Sequence, residues 1–103
     1  APSKPVKIFA SARDMDFGDT GAAFLLFKEP EDGFPDVLDS GRLAVLSSSG
    51  DLKEAAANIF SALHKVDNCG AEKLYAEAVP EQGLGAAVMD RLARASMKYK
   101  REF

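Results

Sequence analysis

Blocks of hydrophobic residues separated by polar stretches predict the elements of this chain. Two apolar runs in the first third predict strands, at residues 7–10 and at residues 20–27. A third run predicts a strand at residues 42–47. The stretches between them, residues 11–19 and 28–36, combine acids with glycine or proline and therefore predict turns and loops.

The second half of the chain is dominated by helical periodicity. Helices are predicted at residues 52–67 and 84–97, with a fourth strand at residues 73–79 between them. Asp51, three residues before Glu54, is a candidate capping box for the first helix. The two apolar stripes are Leu52, Ala55, Ala56, Ile59, Phe60, Leu63 and Val66, and Leu84, Ala87, Val88, Leu92 and Ala95.

The element order β, β, β, α, β, α predicts the fold class. The third strand, the long helix and the fourth strand form a βαβ unit, which is expected to be parallel and right-handed. The strands lack a clean alternation, which suits a sheet covered on both faces. We therefore predict a small α/β domain of Rossmann-like, three-layer type, with a mainly parallel sheet of about four strands and two main helices.

Composition narrows the classes of protein that fit. With 103 residues, 47% of them hydrophobic, the chain can form one domain with a modest core. The formal net charge of −3 gives no bias toward nucleic acid, and no apolar run approaches the roughly 20 residues that span a bilayer. The single cysteine, Cys69, excludes an internal disulfide and favours a reducing compartment.

Two helix starts carry the residues best suited to bind a ligand. Hydroxyls and free backbone amides at a helix N-terminus can hold a phosphate or a carboxylate. Because both loops follow parallel strands, we expect them to share the carboxyl edge of the sheet, where ligands bind. The candidates are Ser47, Ser48, Ser49 and Gly50 before the long helix, and Gly83 and Gly85 before the last one.

Each candidate also has a structural explanation. Serines cap helices and Gly50 permits a turn, while Gly83 lets the chain turn after Pro80 and Gly85 lets the new helix start close to the sheet edge. Neither loop matches a phosphate-binding consensus. Asp90 and Arg91 in the last helix are candidates to pair with a ligand or another domain, or simply form a solvated face.

The segment RDMDFGD carries three acids that suit a divalent cation. Asp14, Asp16 and Asp19 offer the oxygen ligands that Mg²⁺ and Ca²⁺ prefer. A small Mg²⁺-dependent phosphohydrolase using Asp14 and Asp16 is therefore an alternative function. Residues 11–13 separate the first strand from these acids, which favours a turn instead. His64, the one histidine, has no serine or cysteine placed to form a recognisable triad.

Three stretches together resemble a known family: APSKPV (1–6), SSSGDLKEAAANIFSALHKVD (47–67) and AEAVPEQGLGAAVMDRLARAS (76–96). They resemble the C-terminal Rossmann-like domain of long-form L-threonylcarbamoyladenylate synthases. In that family a YrdC-like catalytic domain comes first, followed by a linker with a His-Tyr-Ala-Pro motif. Ala1-Pro2 would be the end of that motif. The resemblance implies a linker end at residues 1–6, an accessory domain at 7–97 and a charged tail at 98–103.

The chain departs from the family pattern at two places. The family usually has an amphipathic helix between its first two strands, and residues 11–19 are too short for one. Either that helix is reduced, or the first strand is packed differently. Met89 stands where the family frequently has an asparagine before Asp90 and Arg91.

The resemblance also implies a cytoplasmic tRNA-modification enzyme as the parent protein. Such synthases convert L-threonine, bicarbonate and ATP into threonylcarbamoyl-adenylate and pyrophosphate. The catalytic residues, ATP and Mg²⁺ would belong to the catalytic domain, so this domain would have no cofactor and no turnover of its own. Its partner would be that catalytic domain, with ATP or the adenylate product as candidate ligands, indirect contact with tRNA and no membrane. A stand-alone nucleotide- or anion-binding module is the other alternative.

Overall fold

The computed structural model describes residues 6–30 and 42–99, without the side chains of Asp67 and residues 95–99. The predicted linker end, apart from Val6, and the last part of the charged tail lie outside the described residues. The strands are β1 (Val6–Phe9), β2 (Ala22–Leu26), β3 (Leu43–Val45) and β4 (Lys73–Glu77), and the helices are α1 (Leu52–Asp67) and α2 (Leu84–Tyr99). All six predicted elements are therefore present.

The four strands form one parallel sheet in the order β1-β4-β2-β3. β4 lies between β1 and β2, so the connection from β3 through α1 to β4 passes over β2. Ala76 faces Ile8 on one side and Leu25 on the other. The two central strands are almost entirely buried, which explains why their sequences lack alternation. The predicted small α/β domain with a parallel sheet of four strands and two helices is confirmed.

Both helices pack on the same face of the sheet. The buried side chains of the helices pack against every second residue of the strands and form one hydrophobic cluster. Its large members include Leu25, Leu46, Ile59, Leu63, Val66, Leu74, Val88 and Leu92. Three residues that spacing places on the apolar stripes are instead exposed: Phe60 by 62%, Leu84 by 49%, and Ala87. Phe60 lies about 100° around the helix from the buried Ile59, and the sheet contacts a narrower stripe than the sequence predicts.

An aromatic cluster covers the opposite face. Phe24 is fully buried, and its ring centroid lies 4.9 Å from that of Phe17 and 5.7 Å from that of Tyr75. Phe9 packs edge-on against Tyr75 at 5.1 Å. A single 3-10 turn, Ala12–Asp14, stands where the family usually has a helix. In this chain β1 pairs with β4 in parallel, and the described segment between β1 and β2 has this 3-10 turn in place of a longer helix.

Among the described residues, neither helix combines the length and the apolar character needed to cross a bilayer.

Candidate functional site

The two predicted loops lie at the same edge of the sheet. The serine turn (residues 47–50) connects β3 to α1, and the glycine loop (residues 80–85) connects β4 to α2. Because all strands are parallel, both loops leave from carboxyl ends. A Cβ built on Gly85 would lie 3.2 Å from Cδ2 of Leu52, the first residue of α1. The predicted juxtaposition of the two helix starts is confirmed, while their role in binding stays a prediction.

The serine turn is organised by capping. Ser47 is buried, and its Oγ accepts a hydrogen bond from the Asp51 N–H at 2.9 Å. The Asp51 carboxylate accepts from the Lys53 N–H at 2.9 Å, so Asp51 is the N-cap of α1. The predicted capping box with Glu54 is wrong, since the Asp51 side chain accepts from Lys53 instead of Glu54 and Ser47 takes the Asp51 amide. Helix capping therefore explains Ser47 without a ligand.

The remaining residues of the serine turn face solvent more openly. Ser48 and Ser49 are exposed, and Gly50 has a φ of 80°, a conformation that favours glycine. The side chain of Lys28 packs beside this turn, with its Cδ 3.5 Å from the position that a Cβ on Gly50 would take. These residues form the part of the edge that suits an anion.

The two glycines of the glycine loop are needed for different reasons. Gly83 has a φ of 55° and nothing within 4 Å of where its Cβ would stand, so only its backbone conformation matters. Gly85 is buried, and a Cβ there would overlap the carbonyl oxygen of Pro80. Space, not conformation, therefore requires glycine at position 85. Between them Leu84 exposes a large apolar side chain at the edge.

Met89 holds the start of the glycine loop. Its sulfur atom accepts a hydrogen bond from the Val79 N–H at 3.1 Å. Val79 itself is buried in the hydrophobic cluster between the helices and the sheet, and Met89 packs against that cluster. Met89 therefore helps to position the backbone just before the glycine loop. The family pattern favours an asparagine at this position.

Asp90 and Arg91 do not join the two loops. They lie about 10 Å along α2 from its first residue. Asp90 forms an exposed ion pair with Arg94 at 3.2 Å, and the Arg91 guanidinium lies 4.2 Å above the Phe60 ring. The structure thus brings six of the eight candidate residues together and places these two on the outer surface of the helices.

The comparison with known families decides the identity of the domain. A family model described as "Threonylcarbamoyl-AMP synthase, C-terminal domain" matches residues 1–97. The chain belongs to this family. A protein of Pyrococcus abyssi (strain GE5 / Orsay) described as "Threonylcarbamoyl-AMP synthase" is 49% identical over 45 residues, which are 44% of this chain and 13% of that protein. The chain therefore spans only a small part of that relative. No solved structure matches it.

Among the described residues, one buried acid was not predicted from the sequence. Glu77 at the end of β4 is 9% exposed. Its Oε1 accepts from the Phe27 N–H at 2.9 Å and its Oε2 from the Ala12 N–H at 3.3 Å. The available signal was an acid that ends an apolar run, LYAE, at the carboxyl edge of a predicted central strand.

The opposite, amino edge of this family member carries a second polar cluster. The Asp19 carboxylate lies 2.7 Å from the Lys73 ammonium and accepts a 2.7 Å hydrogen bond from the Tyr75 hydroxyl. Arg42 donates to three backbone carbonyls of residues 19–22 at 2.8 to 3.2 Å. A shallow polar depression of about 470 Å³ lies between residues 19–21 and 70–73. Asp19 and Lys73 neutralise each other there, so the cluster fastens β2 to β4.

The acidic segment of the domain forms turns. The carboxylate of Asp16 accepts from the Gly18 N–H at 3.0 Å, and that of Asp19 accepts from the Gly21 N–H at 2.9 Å. Asp14 lies in the 3-10 turn, where it is exposed. In residues 6–30 and 42–99 no three histidine, cysteine, aspartate or glutamate side chains come together as a metal site. The turn interpretation of this segment is confirmed.

Asp19 makes the free energy of unfolding of the domain depend on pH in the acidic range. Hydrogen bonds from Lys73 and then Tyr75 lower the pKa of the Asp19 carboxyl from 3.8 to about 2. A carboxylate with a lowered folded-state pKa stabilises the fold fully above its unfolded value and loses that contribution as the pH falls through its folded value. We expect Asp19→Asn to lower the urea midpoint at about pH 6, with the difference from the unmodified chain shrinking from pH 3.8 to about 2.

Asp16→Asn is the matched control, because asparagine keeps an oxygen that can accept from Gly18 and no cationic partner is lost. At about pH 6 its urea midpoint should lie closer to that of the unmodified chain than the Asp19→Asn midpoint does, because no ion pair is broken. An Asp19→Asn difference that stays constant between about pH 6 and 2 would show that the ion pair does not carry the effect.

Proposed function

We propose that this chain is the accessory domain of a longer threonylcarbamoyl-AMP synthase. In this function it supports a catalytic domain that makes threonylcarbamoyl-AMP from L-threonine, bicarbonate and ATP for tRNA modification in the cytoplasm. It turns over no substrate itself. The observation that carries the proposal is the family match over residues 1–97, which covers nearly the whole domain.

The carboxyl edge is the surface that suits contact with the linker or the catalytic domain. Leu84 is 49% exposed there, next to the open backbone of Gly83. A large apolar side chain held on a rigid helix start loses little conformational freedom when a partner covers it. Ser48 and Ser49 extend the same surface with exposed hydroxyl groups. An edge with these features is better suited to bind an extended polypeptide than to catalyse a reaction.

ATP and Mg²⁺ belong to the catalytic domain in this proposal. The described residues offer no cluster of acids that fits Mg²⁺, and Asp16 and Asp19 are engaged in turns. Contact with tRNA is then indirect, through the product of the catalytic domain.

The test is made in the full-length synthase with variants at the two exposed apolar residues. We expect Leu84→Lys to lower the rate of pyrophosphate release from ATP in the presence of L-threonine and bicarbonate by about 10-fold, because one lost apolar contact is worth about 1.5 kcal/mol or more. Phe60→Lys is the matched control. It changes the other exposed large apolar residue of the described helices, which lies away from the carboxyl edge, and should leave the rate within about 2-fold.

Equal rates for the two variants would contradict contact through the carboxyl edge. Pyrophosphate release by the 103-residue chain alone would contradict the accessory function itself.

A stand-alone anion-binding module is favoured by one observation, the position of Lys28 beside the serine turn. In that case ATP added to the 103-residue chain should shift the amide resonances of Ser48, Ser49 and Gly50 at micromolar to millimolar concentrations. The accessory function predicts no such shift. The titration therefore separates the two functions on the same sample.

A further inference from the structure

Glu77 is the one acidic side chain that the described part of the domain buries. The buried polar residues there are Ser47 and Glu77. A buried carboxylate is costly unless hydrogen bonds stabilise it. Here each oxygen accepts from a backbone amide, the Oε1 atom from Phe27 and the Oε2 atom from Ala12. Hydrogen bonds to an ionised acceptor are stronger than those between neutral groups, so Glu77 holds both backbone segments firmly.

From Phe27 the hydrogen bonds continue to the serine turn. The carbonyl oxygen of Phe27 accepts from the Ser47 N–H at 2.9 Å. Ser47 Oγ in turn accepts from the Asp51 N–H at 2.9 Å, and Asp51 caps α1. The Phe27 ring also lies 3.9 Å from where a Cβ on Gly50 would stand. The peptide units on both sides of Phe27 are thus fixed, one by Glu77 and the other by the serine turn.

On its other side Glu77 holds the segment that leaves β1. The Ala12 amide that it binds begins the 3-10 turn, directly after β1. β1 is itself anchored to this edge, since its last residue, Phe9, accepts from the Ala78 N–H at 2.8 Å. The segment after β1 and the serine turn are therefore tied to one carboxylate.

We propose that Glu77 is a positioning residue that sets the conformation of the serine turn through Phe27. Its hydrogen bonds go to the Phe27 and Ala12 amides, so it acts on the serine turn through the backbone of Phe27, the residue after β2. A change in how β1 and the 3-10 turn sit on the sheet is thereby transmitted to the ligand-facing or linker-facing edge. This holds whichever partner that edge binds.

Glu77→Gln tests the proposal in the 103-residue chain. The glutamine amide nitrogen would face one of the two backbone amides, so one hydrogen bond is lost without a change of size. We expect the amide resonances of Ser47, Ser48 and Gly50 to shift, and the Phe27 amide to exchange with solvent deuterium about 10- to 100-fold faster. The amides of the Asp19–Lys73 cluster at the amino edge should keep their positions.

Glu81→Gln is the matched control, because Glu81 is exposed in the glycine loop at the same edge. It should shift its neighbours in that loop and leave the serine turn unmoved. Two results would contradict the proposal. In the first, Glu77→Gln shifts only the resonances of Ala12 and Phe27. In the second, both variants shift the serine turn equally.

If Glu77→Gln does not fold, amide hydrogen exchange in the unmodified chain tests the proposal instead. A Phe27 amide as unprotected as that of exposed Lys28 overturns the proposal, and protection about 100-fold above it supports the anchor.

Discussion

Replacing Gly85 by alanine is expected to remove a large part of the domain's free energy of unfolding. The added methyl group would overlap the carbonyl oxygen of Pro80 and come within 3.2 Å of Cδ2 of Leu52. The first obstacle is backbone, which no side-chain rotation relieves, so the start of α2 has to move away from the end of β4. We expect a loss of about 3 to 5 kcal/mol, a large part of the roughly 5 to 10 kcal/mol that a domain of this size has.

Gly83 provides the comparison within the same loop. An alanine there meets nothing within 4 Å but has to adopt a φ of 55°. The expected cost is about 1 kcal/mol, and Gly83→Asn should cost less, since asparagine tolerates this region. Urea unfolding followed by circular dichroism measures all three variants. Similar losses for Gly85→Ala and Gly83→Ala would mean that the helix start yields easily and that the close approach is not a constraint.

The second large effect is expected for Phe24→Ala in the central strand β2. Phe24 is fully buried and lies between Phe17 and Tyr75 in the aromatic cluster. Its removal leaves a cavity in the buried cluster that also contains Ala12 and Met15. We expect a loss of about 3 to 5 kcal/mol in the free energy of unfolding, measured by urea titration.

Phe60→Ala is the matched control, because the same side chain is removed at a position with 62% exposure. It loses the contact with Arg91, worth about 0.5 to 1 kcal/mol, and gains helix propensity of similar size. The stability should stay within about 0.5 kcal/mol of the unmodified chain. Equal losses at Phe24 and Phe60 would argue that the second face of the sheet contributes little to the core.

The sequence by itself determined the elements and the class of fold. Apolar runs without alternation marked the two central strands, since both faces of those strands are covered. Helical periodicity placed α1 between Leu52 and Asp67, as the structure has it. Because the strands are joined by crossovers, parallel pairing followed, and with it the meeting of the serine turn and the glycine loop at one edge.

Only the tertiary structure decided which residues of those patterns are buried and which are exposed to solvent. Helical spacing could not tell Phe60 and Leu84 from core residues, because the width of the covered stripe depends on how the helices lie on the sheet. The bonds of Glu77 join positions 50 and 65 residues apart, which no local pattern records. The sequence assigned Gly83 to a turn and Gly85 to a close approach of the helix, and the structure agrees, but spacing could not show that the neighbour of Gly85 is the Pro80 carbonyl. Local patterns follow from the helical and strand periods of neighbouring residues. Contacts between distant segments exist only once the sheet has formed.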